Sequence, residues 1–227
     1  MAAILAFGAH PDDIEFGCGG TLRKLIEKGW SAVHVCVTSG EAGSSTIDRA
    51  TLAATREQEA RRAAEVLGAE RVHFLRAADG LTQYSRDHKI AVINLIREVR
   101  PEILFVHASS DQFPDHKLIH ELVMSAVAGA AGPWYQESIG EPHLAGTILG
   151  YEVWHPLNTY QLSVDITTTV ERKLAALRCH RSQIEATNYD EAALGLARYR
   201  GVMSFSSTHA EVFEVLRTSL SISEGLA

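Results

Sequence analysis

Apolar runs of four to seven residues alternate along the chain with stretches whose apolar positions recur every three or four residues. This alternation predicts an α/β layer structure with a mostly parallel sheet sandwiched by helices. The expected strands are Ala2 to Phe7, Ala32 to Thr38, Val72 to Leu75, Ile103 to His107, Thr147 to Trp154 and Tyr160 to Asp165. Helical patterns cover Thr21 to Lys28, Leu52 to Leu67, His88 to Val99, Thr168 to Ile184, Ala192 to Tyr199 and Ala210 to Leu216. Gly68 follows its helix as a C-terminal glycine does, and Pro101 ends the helix before it. Ser39 to Ser45 reads as a Gly/Ser-rich loop, and Gly129 to Gly146, with Gly, Pro and polar residues, as a long loop of the kind that often shapes a binding site. In the common doubly wound order, strand one neighbours strand four, and ligands sit beyond the carboxyl ends of the strands where the winding reverses.

A chain of 227 residues that is 46% hydrophobic can bury one large core, so a single domain over residues 1–227 is expected. No linker, repeat or low-complexity tract interrupts it. The formal charge of −7 comes without a basic stripe, which excludes a nucleic-acid partner and favours a small neutral or cationic ligand. Cys18, Cys36 and Cys179 are widely spaced and form no Cys-x-x-Cys, as expected of reduced thiols in the cytoplasm. The first apolar run lacks a basic flank and soon meets His10-Pro11, so neither a signal peptide nor a membrane span is expected.

The strongest chemistry lies directly behind the first strand, in Gly8-Ala9-His10-Pro11-Asp12-Asp13-Ile14-Glu15. Imidazole and carboxylate are ordinary ligands of a divalent ion, and a carboxylate that does not ligate can serve as a base. On an extended chain, Asp12 and Asp13 would point to opposite sides and divide those tasks. The loop after the fourth strand carries Asp111-Gln112-Phe113-Pro114-Asp115-His116, about a hundred residues away in sequence. Topology alone would bring the two loops together. A set of His10, Asp13 and His116 leaves a fourth position open, as in a catalytic zinc site; Fe2+, Mn2+ and Co2+ suit the same donors.

Plainer readings exist for each feature. His10 to Asp13 would also serve as a capping turn, Arg56 as one charge on a helix face shared with Arg61 and Arg62, and Asp79-Gly80 as a simple turn. His34, His73 and His107 fall inside apolar strands and read as core histidines, while His88, His143 and His180 have no evident partner. The Gly17-Cys18-Gly19-Gly20 run lacks the full dinucleotide spacing, so a dinucleotide is not expected. Trp30, Trp134 and Trp154 fit a core or a pocket wall equally.

Taken together, these segments resemble the LmbE-like, or PIG-L, zinc-dependent N-deacetylases, which include the deacetylases of bacillithiol and mycothiol biosynthesis. The likeness begins with Ala9-His10-Pro11-Asp12-Asp13-Ile14-Glu15-Phe16-Gly17 and Gly19-Gly20-Thr21. It continues through Thr38-Ser39-Gly40-Glu41, Arg56-Glu57 with Glu59, Leu67-Gly68, Asp79-Gly80 and Asp115-His116. Tyr151-Glu152-Val153-Trp154, His180-Arg181-Ser182-Gln183 and Ala210-Glu211 with Phe213 complete it, so that it spans nearly the whole chain.

The resemblance implies a Rossmann-like metal-dependent hydrolase that removes the N-acetyl group from an N-acetylated amino sugar or its glycoside, releasing acetate and a free amine. It implies zinc on His10, Asp13 and His116, with Asp12 as general base. Arg56 and Asp79 would contact the ligand, Glu15 and Asp115 would support the site, and the chain would form a homo-oligomer. One position departs from the family pattern: Phe113 stands where the family has a histidine that stabilises the tetrahedral intermediate. Phenylalanine donates no hydrogen bond, and His120, His155 and His209 are the candidates to replace that donor. The departure keeps two alternatives open, a carbohydrate-binding or regulatory protein with weakened catalysis and a hydrolase of another N-acyl amide.

Overall fold

Strand β1 (Ala3–Gly8) lies in the interior of the sheet and is buried on both faces, which is why it reads as an unbroken apolar run. Leu5 and Phe7 enter one core layer with Val92, Ile96, Ile119 and Val123, whereas Ile4 and Ala6 enter the other with Ile14, Leu22, Tyr151 and Phe213. The computed structural model describes residues 2–80, 83–185, 187–205 and 207–218. Its other strands are β2 (Ser31–Thr38), β3 (Arg71–Ala77), β4 (Ile103–His107), β5 (Thr147–Tyr151), β6 (Leu162–Asp165) and β7 (Ala210–Arg217). They form one seven-stranded sheet in the order β3-β2-β1-β4-β5-β7-β6. β1 pairs in parallel with both β2 and β4, as the doubly wound order requires, and β5 runs parallel to β4.

The helices are α1 (Asp13–Glu27), α2 (Arg49–Leu67), α3 (Arg86–Val99), α4 (Pro114–Ala130), α5 (Val170–Leu177), α6 (Arg181–Ile184) and α7 (Tyr189–Met203). Among the described residues, no helix is long and apolar enough to cross a membrane.

Four elements differ from expectation, the first being α4 (Pro114–Ala130), to which no helical pattern is assigned. Residues Ala210 to Leu216, expected to be helical, form β7, which pairs antiparallel with β5 and β6 at once. A short apolar run fits either period, and here the two open strand edges decide. Thr168 to Ile184 is two helices rather than one, separated at Arg178 to His180. Most consequential for the site, α1 begins at Asp13 and not at Thr21.

Glycines that look like helix breakers are here packing residues. A Cβ on Gly17 would lie 2.1 Å from the Tyr151 ring, and one on Gly20 would lie 2.8 Å from Ile166. The glycine run therefore lets β5 and the β6–α5 turn close on the helix. The helix is further tied down by Glu211 of β7, which accepts the Gly20 and Thr21 amide protons at 2.9 and 2.7 Å. Lys173 of α5 pairs with Glu211 at 2.6 Å and donates to the Phe16 carbonyl. A buried charge pair with this many partners fixes the position of α1, and with it the first residues of the site.

Candidate active site

Asp12 and Asp13 take their separate directions from the start of α1, not from an extended chain. Asp12 precedes the helix with φ 114°, a backbone conformation that L side chains adopt at a cost, and Asp13 is the first helical residue. Asp13 is almost fully buried. Its Oδ2 accepts the His10 amide proton at 2.7 Å and lies 3.5 Å from His10 Nδ1, while its Oδ1 lies 3.3 Å from His116 Nε2. The tips of β1 and β4 are joined directly, because the Ala9 amide donates to His107 Nε2 at 2.9 Å.

The outer nitrogens of both imidazoles are claimed by carboxylates. His116 Nδ1 is 2.9 Å from Asp111 Oδ2, and since an ionised carboxylate only accepts, the proton sits on Nδ1. His116 Nε2 is buried with no hydrogen-bond partner and faces Asp13. His10 Nε2 lies 3.0 Å from Asp115 Oδ2 and 3.0 Å from Asp79 Oδ1, which turns Nδ1 toward Asp13. Carboxylates behind imidazoles fix tautomer and ring orientation in this way at metal sites. His10, Asp13 and His116 each offer a donor atom within 4.8 Å of the others. His107 and Asp111 form a second such group with His116, but the His107 Nε2 lone pair is already used by Ala9.

The electrostatics suit a cation. Burial works against the charged form of His116, yet Asp13 and Asp111 push it up to about 9, and His10 is likewise raised by Asp115, Asp13 and Asp79. Asp13 is held well below the usual carboxylate range, since His116 and His10 outweigh its burial. Burial and the neighbouring His116 lower His107 to about 4, so it stays neutral, its ring stacked on His116 at 3.9 Å. Asp12 moves upward: burial raises it against the pull of Arg56.

Arg56 reaches this group from α2. Its guanidinium donates to the Pro11 carbonyl at 2.7 Å, to Gly40 at 2.9 Å and to Asp12 Oδ2 at 3.2 Å. Gly40 has φ 67°, and a Cβ there would fall 2.4 Å from the guanidinium carbon, so only glycine leaves Arg56 its path. Asp79 is held by the Ala42 amide at 2.7 Å and, through its own amide, by Glu41 at 2.9 Å, which locks the loops after β2 and β3 together.

A cleft of about 630 Å³ opens over these residues. Its lining includes His10, Asp12, Asp13, Arg56, Asp79 and Asp115, with His116 fully buried beneath. The remaining expected residues lie elsewhere. Glu15 points behind the site, between His34 at 3.6 Å and His180 at 3.4 Å. His120 Nδ1 bonds the His107 carbonyl at 2.8 Å, His155 is half-exposed and bonds Asp111 at 3.0 Å, and His209 bonds Thr208 at 3.0 Å. None of these three is among the cleft-lining residues, whereas Phe113 is, its ring edge-on to His10 at 5.9 Å. Asp111 and His107 are the residues that sequence reasoning passed over. Asp111 stood in the second motif without a role, and His107 read as plain core.

Residues 5–127 match the family model described as "PIG-L: GlcNAc-PI de-N-acetylase". The chain is 32% identical over 189 residues to the diacetylchitobiose deacetylase of Thermococcus kodakarensis, covering 79% of this chain and 69% of that one. Among solved structures, it is similar to the conserved protein TT1542 from Thermus thermophilus, with TM-score 0.86, 28% identity and 97% of each chain covered. It is also similar to GalB, the 4-carboxy-2-hydroxymuconate hydratase of Pseudomonas putida KT2440, with TM-score 0.86 and 25% identity over 97% of this chain and 98% of that one.

Proposed function

The chain belongs to the PIG-L family of GlcNAc-PI de-N-acetylases, and on that footing we propose that it is a metal-dependent hydrolase removing the N-acetyl group from a GlcNAc-type amino sugar or its glycoside. The products are acetate and a free amine. The observation that carries this is the carboxylate-backed pair of imidazoles whose inner nitrogens both face Asp13. We assign His10, Asp13 and His116 to the ion and take zinc as the ion, with Fe2+, Mn2+ and Co2+ as metals that elemental analysis would distinguish. Bound there, the ion supplies a Lewis acid for the acyl oxygen and brings the pKa of a water toward about 7.

Asp12 takes the proton of the attacking water and passes it to the departing nitrogen, which leaves as an amine. Burial raises its pKa above that of an ordinary carboxylate, which strengthens it as a base for that proton. Arg56 holds Asp12 in place through Pro11 and its own carboxylate contact. Asp79 and Asp115 orient His10, and Asp79 keeps acceptor capacity for a sugar hydroxyl at the cleft wall. At Phe113 the donor is lost and none of the three candidate histidines enters the cleft in its stead. The loss of one such donor costs on the order of 10²–10³ in rate, so turnover is expected to be slow rather than absent.

The similarity to a hydratase favours a second reading, addition of water to an unsaturated polycarboxylate. Such a substrate needs cations for its carboxylates, and among the described cleft-lining residues Arg56 is the one Lys or Arg, already paired with Asp12.

Metal-loaded protein incubated with N-acetylglucosaminyl compounds is expected to release equimolar acetate and amine. Asp12→Asn should keep its metal and lose about 10²–10⁴-fold in kcat, whereas His116→Ala should lose the metal itself. Unchanged turnover in Asp12→Asn would remove the base assignment, and hydration of an enoic acid without acetate release would select the second reading. The family likeness also carries the expectation of a homo-oligomer, which sedimentation equilibrium checks.

A further inference from the structure

The far end of the cleft has a different chemistry from the catalytic end. Of the described lining residues contributed after residue 150, all but Gln183 are apolar or aromatic, and none is charged. Val153 and Trp154 follow β5, Leu177 ends α5, and Tyr189, Ala192 and Leu196 come from α7. Phe113 and Trp154 stack at 5.7 Å with 17° between their planes, and Tyr189 meets Trp154 edge-on at 5.7 Å. Trp154 keeps 49% of its surface exposed, so part of its ring remains free to meet a ligand.

We infer that this end of the cleft binds an apolar aglycone, an aryl or alkyl group carried by the amino sugar on the side away from its acetamide. The inference rests on the deacetylase reading. An acetyl group is only two carbons, so the space beyond the catalytic end belongs to the amine half of the substrate. A volume of about 630 Å³ lies within the range, on the order of 300–1,000 Å³, that encloses a drug-sized ligand and therefore exceeds a lone sugar ring. A second sugar would bring several hydroxyls to a wall offering little beyond Gln183 and the Tyr189 hydroxyl, leaving most of them desolvated without partners. An anionic aglycone would find one Lys or Arg among the described lining residues, Arg56, which stands at the catalytic end and is already paired with Asp12. An apolar group loses nothing by leaving water and gains the aromatic face of Trp154.

The test compares kcat/KM for deacetylation of free GlcNAc, diacetylchitobiose, a carboxylate-bearing N-acetylglucosaminide, and the phenyl and octyl N-acetylglucosaminides, using the metal-loaded protein. The phenyl or octyl compound is expected to exceed GlcNAc and chitobiose by about tenfold or more, mainly through KM. Leu196→Asn, a substitution on a partly exposed helix position, should bring that ratio close to one while leaving kcat on free GlcNAc within about twofold. Trp154→Ala should lower the ratio as well, and octyl glucoside, which lacks the acetamide, should inhibit competitively in the wild type and much less in Leu196→Asn. Turnover of all glycosides with equal efficiency, or a preference for chitobiose or the carboxylate compound, would overturn the inference and leave the deacetylase reading standing. Turnover of none of these sugars would remove the deacetylase reading, and the aglycone with it.

Discussion

Asp111 decides which nitrogen of His116 is free. Its Oδ2 fixes the proton on Nδ1, while its Oδ1 accepts from the Phe113 amide at 2.9 Å and lies 3.0 Å from His155 Nδ1. Asp111→Asn is therefore expected to bind the metal about 10–100-fold more weakly without removing any proposed ligand, measured by competition with a chelator. Unaltered affinity would mean that Asp111 is only a loop anchor. The three proposed ligands were legible because each sits in a compact motif behind a strand tip. Asp111 was not, since Asp-Gln-Phe-Pro-Asp-His offers two carboxylates, and spacing does not say which imidazole each will face. In the folded chain Asp111 serves His116, whereas Asp115 crosses to His10. Glu15, in the same first motif, stands two residues past Asp13, about 200° around α1, and so faces His34 and His180 behind the cleft.

At the scale of elements, α1 carries the heaviest constraint. Gly17→Ala drives a methyl into the Tyr151 ring, whose hydroxyl donates to the Phe7 carbonyl at 2.5 Å and has little freedom to withdraw. A loss of about 1–3 kcal/mol is expected, a drop of several degrees in Tm by thermal denaturation. Gly195→Ala in α7 provides the control, because a Cβ there meets nothing within 4 Å and should stabilise slightly. A second link joins α2 to β3 and the loop after β2: Glu57 accepts from Arg76 at 2.8 and 3.0 Å, from Ser39 at 2.9 Å and from Arg61 at 3.0 Å. Chiefly through Arg76, its carboxyl is lowered from 4.5 to about 2. A depressed carboxyl stabilises the fold above its unfolded value, so this contribution is complete above about pH 4.5 and disappears as the pH falls through about 2. Glu57→Gln should thus be less stable than wild type at neutral pH, with the gap narrowing across that window in urea titrations. A gap that is constant with pH would assign the effect to lost packing. Most strands and the α2 and α3 helices were readable from periodicity and turn residues. The start of α1 was hidden by glycines whose reason lies in β5 and the β6–α5 turn, and β7 was hidden by a period that only its two neighbours resolve.

For the molecule as a whole, topology does the decisive work. The order that places β1 beside β4 brings Asp13 and His116 within 3.3 Å although they stand about a hundred residues apart. That adjacency was legible from the alternation of strands and helices alone. The wall of the cleft was not, because Trp154, Leu177 and Leu196 come from three separate segments whose packing has no local signature. The excess negative charge of the chain finds a local counterpart in the carboxylates that surround His10 and His116, a cup arranged to hold positive charge.

The most direct measurement is X-ray diffraction from zinc-soaked crystals, with anomalous differences collected on both sides of the zinc absorption edge. One peak is expected at the floor of the cleft, about 2.0–2.2 Å from His116 Nε2, His10 Nδ1 and an Asp13 oxygen. A peak bound elsewhere, or zinc held by neither imidazole, would contradict the proposed centre.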